Sequence, residues 1–384
     1  MTVGTRNSVS GDKTLFTPGP LTTSQSVKQA MLRDLGSRDT VFIEAVQHIR
    51  QMLLEVAGVS KDKGFEVVLM QGSGTFGLES IIGSTVPPDG KLLVIVNGAY
   101  GDRIAHIAEV LKIKTTTLEY PTDVVPVAAD VDRVLSEDPT ITNVVVVHCE
   151  TTTGIINPIE QIGQVVKRHH KVYFVDSMSA FGAVPFDFEK CNIDFLVSSA
   201  NKCIEGVPGF SFAICRYDSL LAIKGWARSV SLDLLAQWQG LEANRQFRFT
   251  PPTHVLLAFE QALCELQAEG GVRGRAGRYL DNYKLLVAGM RELGFTEYLP
   301  EKLQGNIITA FHYPKHPRFE FETFYNGLNN KGFVIYPGKL SNADCFRIGN
   351  IGHLFKSDMR ALLTAINETL IEMCVELQDN AVSG

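Results

Sequence analysis

One stretch near the middle of the chain, residues 171–209, limits the possible folds more than any other. It holds two short apolar runs, 172–175 and 193–197, and each run is followed by polar residues. The first run stops at Asp176, and the second leads within a few residues to Lys202. Such runs are typical of buried parallel strands, and α/β proteins bind ligands at the carboxyl ends of these strands. We therefore expect an acid and an amine to share one crevice.

This pair of side chains has a definite chemical meaning. A carboxylate can pair with a pyridinium nitrogen, and a lysine amine can form a Schiff base with an aldehyde. Pyridoxal 5'-phosphate needs both groups. Taken alone, Asp176 could instead cap a helix and Lys202 could lie in an exposed loop. The other motifs of the chain bear on the choice between these interpretations.

A glycine-rich turn earlier in the chain predicts a phosphate site. An apolar run, 66–70, leads into the sequence QGSGTFG at 71–77, and a helical pattern follows over 78–84. A turn between a strand and a helix offers free backbone amides and the helix dipole to an anion. Ser73 and Thr75 add hydroxyl donors.

The same glycines also spell GxGxxG, so a nicotinamide-dependent oxidoreductase has to be considered. In such proteins an acid that binds ribose is expected after the next strand. Here the next strand, 91–96, ends in Asn97, and the turn lies well inside the chain. The sequence therefore favours a simple phosphate site over a dinucleotide.

Two further strand ends carry polar or aromatic side chains. Tyr100, in NGAYGDR, stands where an aromatic ring could stack on a flat ligand, although it could equally be a surface tyrosine. The run 144–147 ends in HCETTTG, where Thr151 is a candidate donor to a cofactor oxygen. Neighbouring side chains of a strand alternate in direction, so His148, Cys149 and Glu150 cannot converge on a metal. We expect His148 to be structural.

The last hundred residues change to an α+β pattern. Arg347 lies inside the apolar strand 345–348, where a guanidinium needs an anionic partner. That partner could be a structural salt bridge or the acid group of a substrate. Arg273, Arg275 and Arg278 form a basic run, which we interpret as a solvated helix face.

Length and composition predict a two-domain globular protein. The 384 residues are 45% hydrophobic and 20% charged. We place a disordered tail at 1–13, an arm and large domain at 14–255, and a connector helix with a small domain at 256–384. A net charge of −6 argues against nucleic acid as a partner, and no apolar run predicts a membrane span.

The expected compartment is the cytoplasm. The first residues carry no hydrophobic core of a secretory signal. Seven cysteines are scattered without paired spacing, as is typical of reduced thiols.

Taken together, the motifs resemble a known enzyme family. TPGP, GSGT, NGAYGDR, ETTTG, VDSMSAFG, NKCIEGVPG, RFTPPTH and FRIGNIGH follow one another in this order. The set resembles the fold-type I pyridoxal-phosphate enzymes of the class V, alanine–glyoxylate and serine–pyruvate aminotransferase branch. Within it, TPGPLTTS, QGSGTFG, VHCET, NKCIEGVPG and RFTPPTHV are similar to the 2-aminoethylphosphonate–pyruvate aminotransferases. The resemblance implies an α/β fold, with a large domain built on a mostly parallel, helix-flanked sheet and a smaller C-terminal α+β domain.

The resemblance also implies roles for individual residues. Lys202 would bind the cofactor covalently and then carry a proton, while Asp176 would keep the ring nitrogen protonated. Tyr100 would stack on the ring, and Thr151 would contact its phenolic oxygen side. The remaining implied contacts are Ser73, Gly74 and Thr75 to the phosphate, Thr250 to the phosphate of the other subunit of a homodimer, Arg347 to a substrate acid group, and Gly19 to the substrate pocket.

The implied reaction is a ping-pong transamination. An amino group would pass from 2-aminoethylphosphonate to the cofactor and then to pyruvate, giving phosphonoacetaldehyde and L-alanine. An enzyme that acts on serine or alanine with glyoxylate is the alternative on the same scaffold. A cysteine desulfurase is disfavoured, because its relatives carry histidine where Tyr100 stands. A binding protein without the cofactor would need neither Asp176 nor Lys202.

Overall fold

A computed structural model describes residues 12–338 and 343–377 of the chain. Most of the predicted tail, 1–13, lies outside these residues. The strands are β1 (Thr14–Leu15), β2 (Phe65–Gln71), β3 (Lys91–Val96), β4 (Lys114–Glu119), β5 (Ile141–Val147), β6 (Cys149–Glu150), β7 (Ile155–Ile156), β8 (Val172–Asp176), β9 (Phe195–Ser199), β10 (Phe210–Arg216), β11 (Ile308–His312), β12 (Phe333–Val334), β13 (Tyr336–Pro337) and β14 (Cys345–Gly349).

The helices fill most of the intervals between the strands. They are α1 (Gln25–Ala30), α2 (Thr40–Ala57), α3 (Gly74–Thr85), α4 (Ala99–Val110), α5 (Ala128–Glu137), α6 (Ile159–Arg168), α7 (Tyr217–Ala222), α8 (Leu234–Ala243), α9 (Thr253–Ala268), α10 (Gly271–Glu292), α11 (Phe321–Asn330) and α12 (Lys356–Glu372).

A seven-stranded sheet with the order β2-β10-β9-β8-β5-β3-β4 forms the centre of the fold. Neighbouring strands from β9 to β4 pair in parallel, and β10 alone runs antiparallel to its two neighbours. The apolar runs of β3, β5, β8 and β9 are almost wholly buried, because helices flank the sheet. The predicted mostly parallel α/β fold is confirmed. It places the ends of β8 and β9 side by side.

The buried apolar side chains form two main clusters. One lies within residues 27–266 around the large sheet. The other joins residues 286–375, around the sheet β11-β14-β13, to Phe16 of the N-terminal arm. The arm reaches this second cluster because β1 pairs in parallel with β12. A smaller cluster that includes Leu21, Cys149 and Ile351 lies where arm, large sheet and C-terminal part meet. The domain boundary at 255/256 stays a prediction.

Some predicted elements differ from the observed ones. The sequence predicts a helix that is capped by Ser24 or Ser26 and runs to about Leu35. The observed α1 ends at Ala30, since Leu32 just beyond it is 81% exposed and would gain no burial from a further turn. The sequence also predicts one strand over 333–336. The structure has two short strands there, because β12 pairs with β1 whereas β13 pairs with β14. Helices α7 and α8 were not expected. No helix of the described residues is long and apolar enough to cross a membrane.

Candidate active site

Asp176 is the last residue of β8, and its side chain is buried. The amide of Met178 donates to Oδ1 at 3.0 Å, and Oδ2 accepts no hydrogen bond from any residue in 12–338 or 343–377. Burial raises the pKa of the Asp176 carboxyl to about 7. Nearby Glu150 also raises this pKa, whereas the cationic side chains of Lys202 and Arg103 lower it. The carboxylate therefore has one oxygen available to a cationic donor.

Lys202 lies three residues beyond β9 and faces the N-terminal arm. Its Nζ donates to the carbonyl oxygen of Pro18 at 2.7 Å. Gly19 packs directly on this lysine, since a Cβ built on Gly19 would lie 2.8 Å from Lys202 Nζ. Gly19 also has a φ of 120°, a backbone conformation that residues other than glycine rarely adopt. The predicted pocket residue Gly19 thus touches the predicted reactive amine.

The predicted phosphate cradle is the first turn of α3. The helix begins at Gly74, earlier than the sequence pattern indicated, so Ser73 is the N-cap and Gly74 and Thr75 form the first turn. The Ser73 side chain makes no capping hydrogen bond. A Cβ on Gly74 would lie 2.6 Å from the sulfur of Met178, which places the cradle against the turn that follows Asp176. The first amides of this helix can therefore reach an anion beside Asp176.

Glu150 holds the helix that carries Tyr100. Its buried carboxylate accepts from the amides of Tyr100 and Gly101, at 3.3 and 3.4 Å, and from the amide and hydroxyl of Thr152, at 3.0 and 2.7 Å. Burial raises the pKa of this carboxyl. The guanidinium of Arg103 lies 5.0 Å from the centre of the Tyr100 ring. The motifs suggested no role for Glu150 other than metal binding. A sequence signal for its observed contact with α4 is its position shortly after a buried strand.

Arg347 brings the C-terminal part into the site. It is buried on β14, and its Nη1 donates to the carbonyl oxygen of Thr151 at 2.8 Å and its Nε to that of Pro337 at 3.1 Å. It also forms a hydrogen bond with the side chain of Tyr100. Within the described ranges Arg347 forms no salt bridge with a carboxylate, and burial lowers the pKa of its guanidinium. The geometry favours a ligand acid group as its anionic partner.

Thr250 and His148 lie outside this group of side chains. Thr250 is exposed in the loop before α9, and its carbonyl oxygen accepts a hydrogen bond from the side chain of Gln71, next to the cradle. His148 is buried, with Nδ1 3.0 Å from the hydroxyl of Ser177, and burial lowers its pKa to about 3. It is therefore a neutral structural histidine, as expected. In the described part of the chain no three His, Cys, Asp or Glu side chains are arranged to hold a metal ion.

The fold and this arrangement define the class of protein. A mostly parallel α/β sheet carries a buried acid and an amine at the ends of neighbouring strands, beside a helix N-terminus, as in fold-type I transferases. The sequence profile described as Aminotransferase class-V matches residues 22–339. The chain belongs to the class-V aminotransferase family.

Similar proteins agree with this assignment. A curated 2-aminoethylphosphonate–pyruvate transaminase from Klebsiella pneumoniae is 50% identical over 358 residues, which cover 93% of this chain and 97% of that protein. A ureidoglycine–glyoxylate aminotransferase from Bacillus subtilis has a similar structure, with a TM-score of 0.88, 21% identity and coverage of 98% and 97% of the two chains. An alanine–glyoxylate aminotransferase from Nostoc has a TM-score of 0.86, 21% identity and coverage of 96% and 98%. The resemblance inferred from the motifs is confirmed.

Proposed function

We propose that this aminotransferase moves the amino group of 2-aminoethylphosphonate to pyruvate, with pyridoxal 5'-phosphate as cofactor. The products are phosphonoacetaldehyde and L-alanine, formed in two half-reactions. The high identity to the Klebsiella pneumoniae transaminase over nearly the whole of both chains supports this choice of substrates. The observation that carries the chemistry is the pair Asp176 and Lys202 at neighbouring strand ends.

The residues present fit pyridoxal phosphate. A phosphate suits the uncapped first turn formed by Ser73, Gly74 and Thr75. The unpartnered Oδ2 of Asp176 suits a protonated pyridine nitrogen, because a buried carboxyl with a pKa of about 7 gains most from a nearby cation. Bound there, the cofactor holds the amino group of the substrate covalently and delocalises the electrons released at the adjacent carbon.

The chain's own side chains then have distinct tasks. Lys202 Nζ would hold the cofactor covalently and, as a free amine, would move a proton to and from the substrate. Tyr100, whose backbone amide donates to Glu150, would stack on the cofactor ring. Thr151 would contact the side of the cofactor ring that carries the phenolic oxygen. Arg347 binds an acid group of the substrate as a planar fork, with Gly19 lining the same pocket.

We also propose that the protein works as a homodimer in the cytoplasm. Three apolar side chains are exposed in the segments concerned: Phe76 on the cradle helix is 50% exposed, Phe249 beside Thr250 is 45% exposed, and Val230 is 76% exposed. Arg248 connects two of them, because its guanidinium lies 5.0 Å from the centre of the Phe249 ring and its Nη1 donates to the carbonyl oxygen of Val230. A second copy on this surface would bring its Thr250 to the phosphate. All seven cysteines are free thiols, which suits a reducing compartment.

The test is the visible absorbance of the purified protein with bound cofactor. Adding 2-aminoethylphosphonate without pyruvate should abolish the band of the cofactor joined to Lys202, and pyruvate should restore it. Lys202→Ala should still bind pyridoxal phosphate through the cradle and Asp176, yet transaminate at less than about a thousandth of the normal rate. A band that responds only to alanine or serine would move the substrate to the glyoxylate-type alternative. Near-normal turnover in Lys202→Ala would overturn the proposal.

A further inference from the structure

A buried ionic network lies next to the turn that carries Lys202. It consists of Glu205, Glu269, Arg275, Arg278 and Tyr279, and we call it the Glu205 network. Arg275 and Glu205 are buried, and both arginines contact both glutamates. The prediction that the arginines form a solvated helix face is wrong for Arg275 and Arg278. Their acidic partners come from outside α10, which periodicity within the helix cannot indicate.

On one side the network fixes the Lys202 turn. The amide of Glu205 donates to the carbonyl oxygen of Lys202 at 2.7 Å. Arg275 Nη1 donates to the carbonyl oxygen of Cys203, the next residue, at 2.6 Å. Glu205 itself has a φ of 67°, a strained value for a residue with a side chain. The turn is therefore fixed by hydrogen bonds to its backbone and by the ion pairs of the Glu205 side chain.

On the other side the network forms hydrogen bonds with the segment that follows β14. Arg278 Nη1 donates to the carbonyl oxygens of Gly352 and Leu354, at 2.6 and 3.0 Å. The hydroxyl of Tyr279 donates to Glu205 Oε1 at 2.5 Å and accepts from the amide of Gly352 at 3.1 Å. Arg347 lies on β14 just before this segment. The Glu205 carboxylate thus connects the turn that carries Lys202, after β9, to the segment after β14, the strand that carries Arg347.

A buried network of this kind fixes geometry more than it adds stability. Buried ion pairs lose most of their Coulomb energy to desolvation, and well-packed apolar residues often replace them without loss. Their directional hydrogen bonds, in contrast, specify where each backbone segment lies. We therefore expect Glu205 to contribute mainly by fixing the positions of the residues around it.

We propose that Glu205 is a positioning residue that sets the distance and orientation of Lys202 relative to Arg347. This rests on the proposed function, in which Lys202 binds the cofactor and Arg347 the substrate acid group. Glu205→Gln keeps the size of the side chain but removes the charge that both guanidiniums share. A misplaced amine should lower kcat roughly 10- to 100-fold and leave KM for the amino donor within about threefold.

A second readout follows the lysine directly. Pyridoxal phosphate is added to the cofactor-free protein, samples are reduced with borohydride at intervals, and the pyridoxyl adduct at Lys202 is measured by mass spectrometry. In Glu205→Gln this adduct should form at least about tenfold more slowly than in the wild type. A role in stability alone would not change this rate in folded protein.

Glu269→Gln is the matched control. It removes the same charge from the same two arginines, but Glu269 does not contact the Lys202 turn, so the adduct rate should stay within about twofold of wild type. Should Glu205→Gln fail to fold, Tyr279→Phe decides, because it removes only one hydroxyl from Glu205 and Gly352. A wild type that forms no adduct at Lys202 would overturn the proposed function. Normal adduct rates and kcat in both Glu205→Gln and Tyr279→Phe would overturn only the positioning role.

Discussion

Asp176 loses its proton only near neutral pH, because it is buried and receives a single hydrogen bond. In the cofactor-free protein this carboxyl is poised between its two forms. A cation placed at Oδ2 would stabilise the ionised form, so cofactor binding and the ionisation of Asp176 support each other. The desolvation of this acid is therefore expected to favour a ligand that places a protonated ring nitrogen at Oδ2.

The first prediction concerns the stability of the cofactor-free protein. The folded carboxyl has a pKa of about 7, against 3.8 for an aspartate exposed to water. Between these values the folded state binds more protons than the unfolded state, so stability falls as pH rises and levels off above about 7. In Asp176→Asn this loss is absent. Its stability relative to wild type should therefore grow by on the order of 3 kcal/mol from about pH 5 to about pH 8.

Urea unfolding of both cofactor-free proteins at several pH values measures this difference. Other titrating groups, such as His148, are common to both proteins and cancel in the comparison. The same variant should bind pyridoxal phosphate more weakly at neutral pH, which controls for an unrelated gain in packing. A stability difference that does not change with pH would contradict the assigned state of Asp176.

At the scale of elements, the start of the cradle helix α3 combines a free N-cap side chain with a position beside Asp176. Helices α1, α2 and α8 are capped by side chains, those of Ser24, Asp39 and Asp233. The amides at the start of α4 instead donate to Glu150. The N-cap side chain of the cradle helix α3, that of Ser73, accepts no amide. Helices α5, α6, α7, α9, α10 and α11 also lack a side-chain cap, so it is the position beside Asp176 that distinguishes α3. Its first amides and hydroxyls are thus available to a phosphate.

This difference predicts opposite effects for two similar substitutions. Ser73→Ala should change the stability of the cofactor-free protein little, since the side chain caps nothing, but should weaken pyridoxal-phosphate affinity roughly 10-fold. Asp39→Ala should destabilise the protein by about 1 kcal/mol, because Asp39 accepts from the amide of Val41, and should leave affinity unchanged. Thermal unfolding and cofactor titration measure the two quantities. Equal effects of both substitutions on affinity would contradict the cradle assignment.

The sequence predicted the central sheet well because its strands are buried on both faces. The runs at β2, β3, β5, β8, β9 and β10 are nearly continuous in apolar residues, and their ends are marked by polar residues or glycine. For the same reason Asp176 and Lys202 could be assigned to strand ends. The apolar pattern did not predict helix α8, because Gln237 on its buried face is polar. The side-chain amide of Gln237 donates to the carbonyl oxygen of Leu69.

The parts of the site that the sequence could not give depend on contacts between distant segments. Glu150 reaches the amides of α4 some fifty residues away, and Glu205 reaches arginines about seventy residues away. The hydrophobic periodicity of a single helix does not indicate such distant partners. It records only that Arg275 and Arg278 are charged, and a charged helix face is usually solvated.

At the scale of the whole molecule, the site is assembled from three parts of the chain. The arm supplies Pro18 and Gly19 against Lys202, the large sheet supplies the acid and the amine, and the C-terminal part supplies Arg347. The arm itself is anchored by β1 in the C-terminal part. A fourth contribution is expected from a second copy, because the surface around the cradle is apolar and exposed.

The last prediction tests that second copy. Phe249→Asp places a charge next to Thr250, on an exposed apolar position. It should convert a dimer to a monomer and lower cofactor affinity, since Thr250 of a second subunit would no longer reach the phosphate. Light scattering after size exclusion measures the mass, and cofactor titration the affinity. Ile371→Asp is the control: Ile371 is 67% exposed on α12, away from the cradle, and the variant should remain dimeric. A wild type that is monomeric and fully active would show instead that each cradle is complete within one chain.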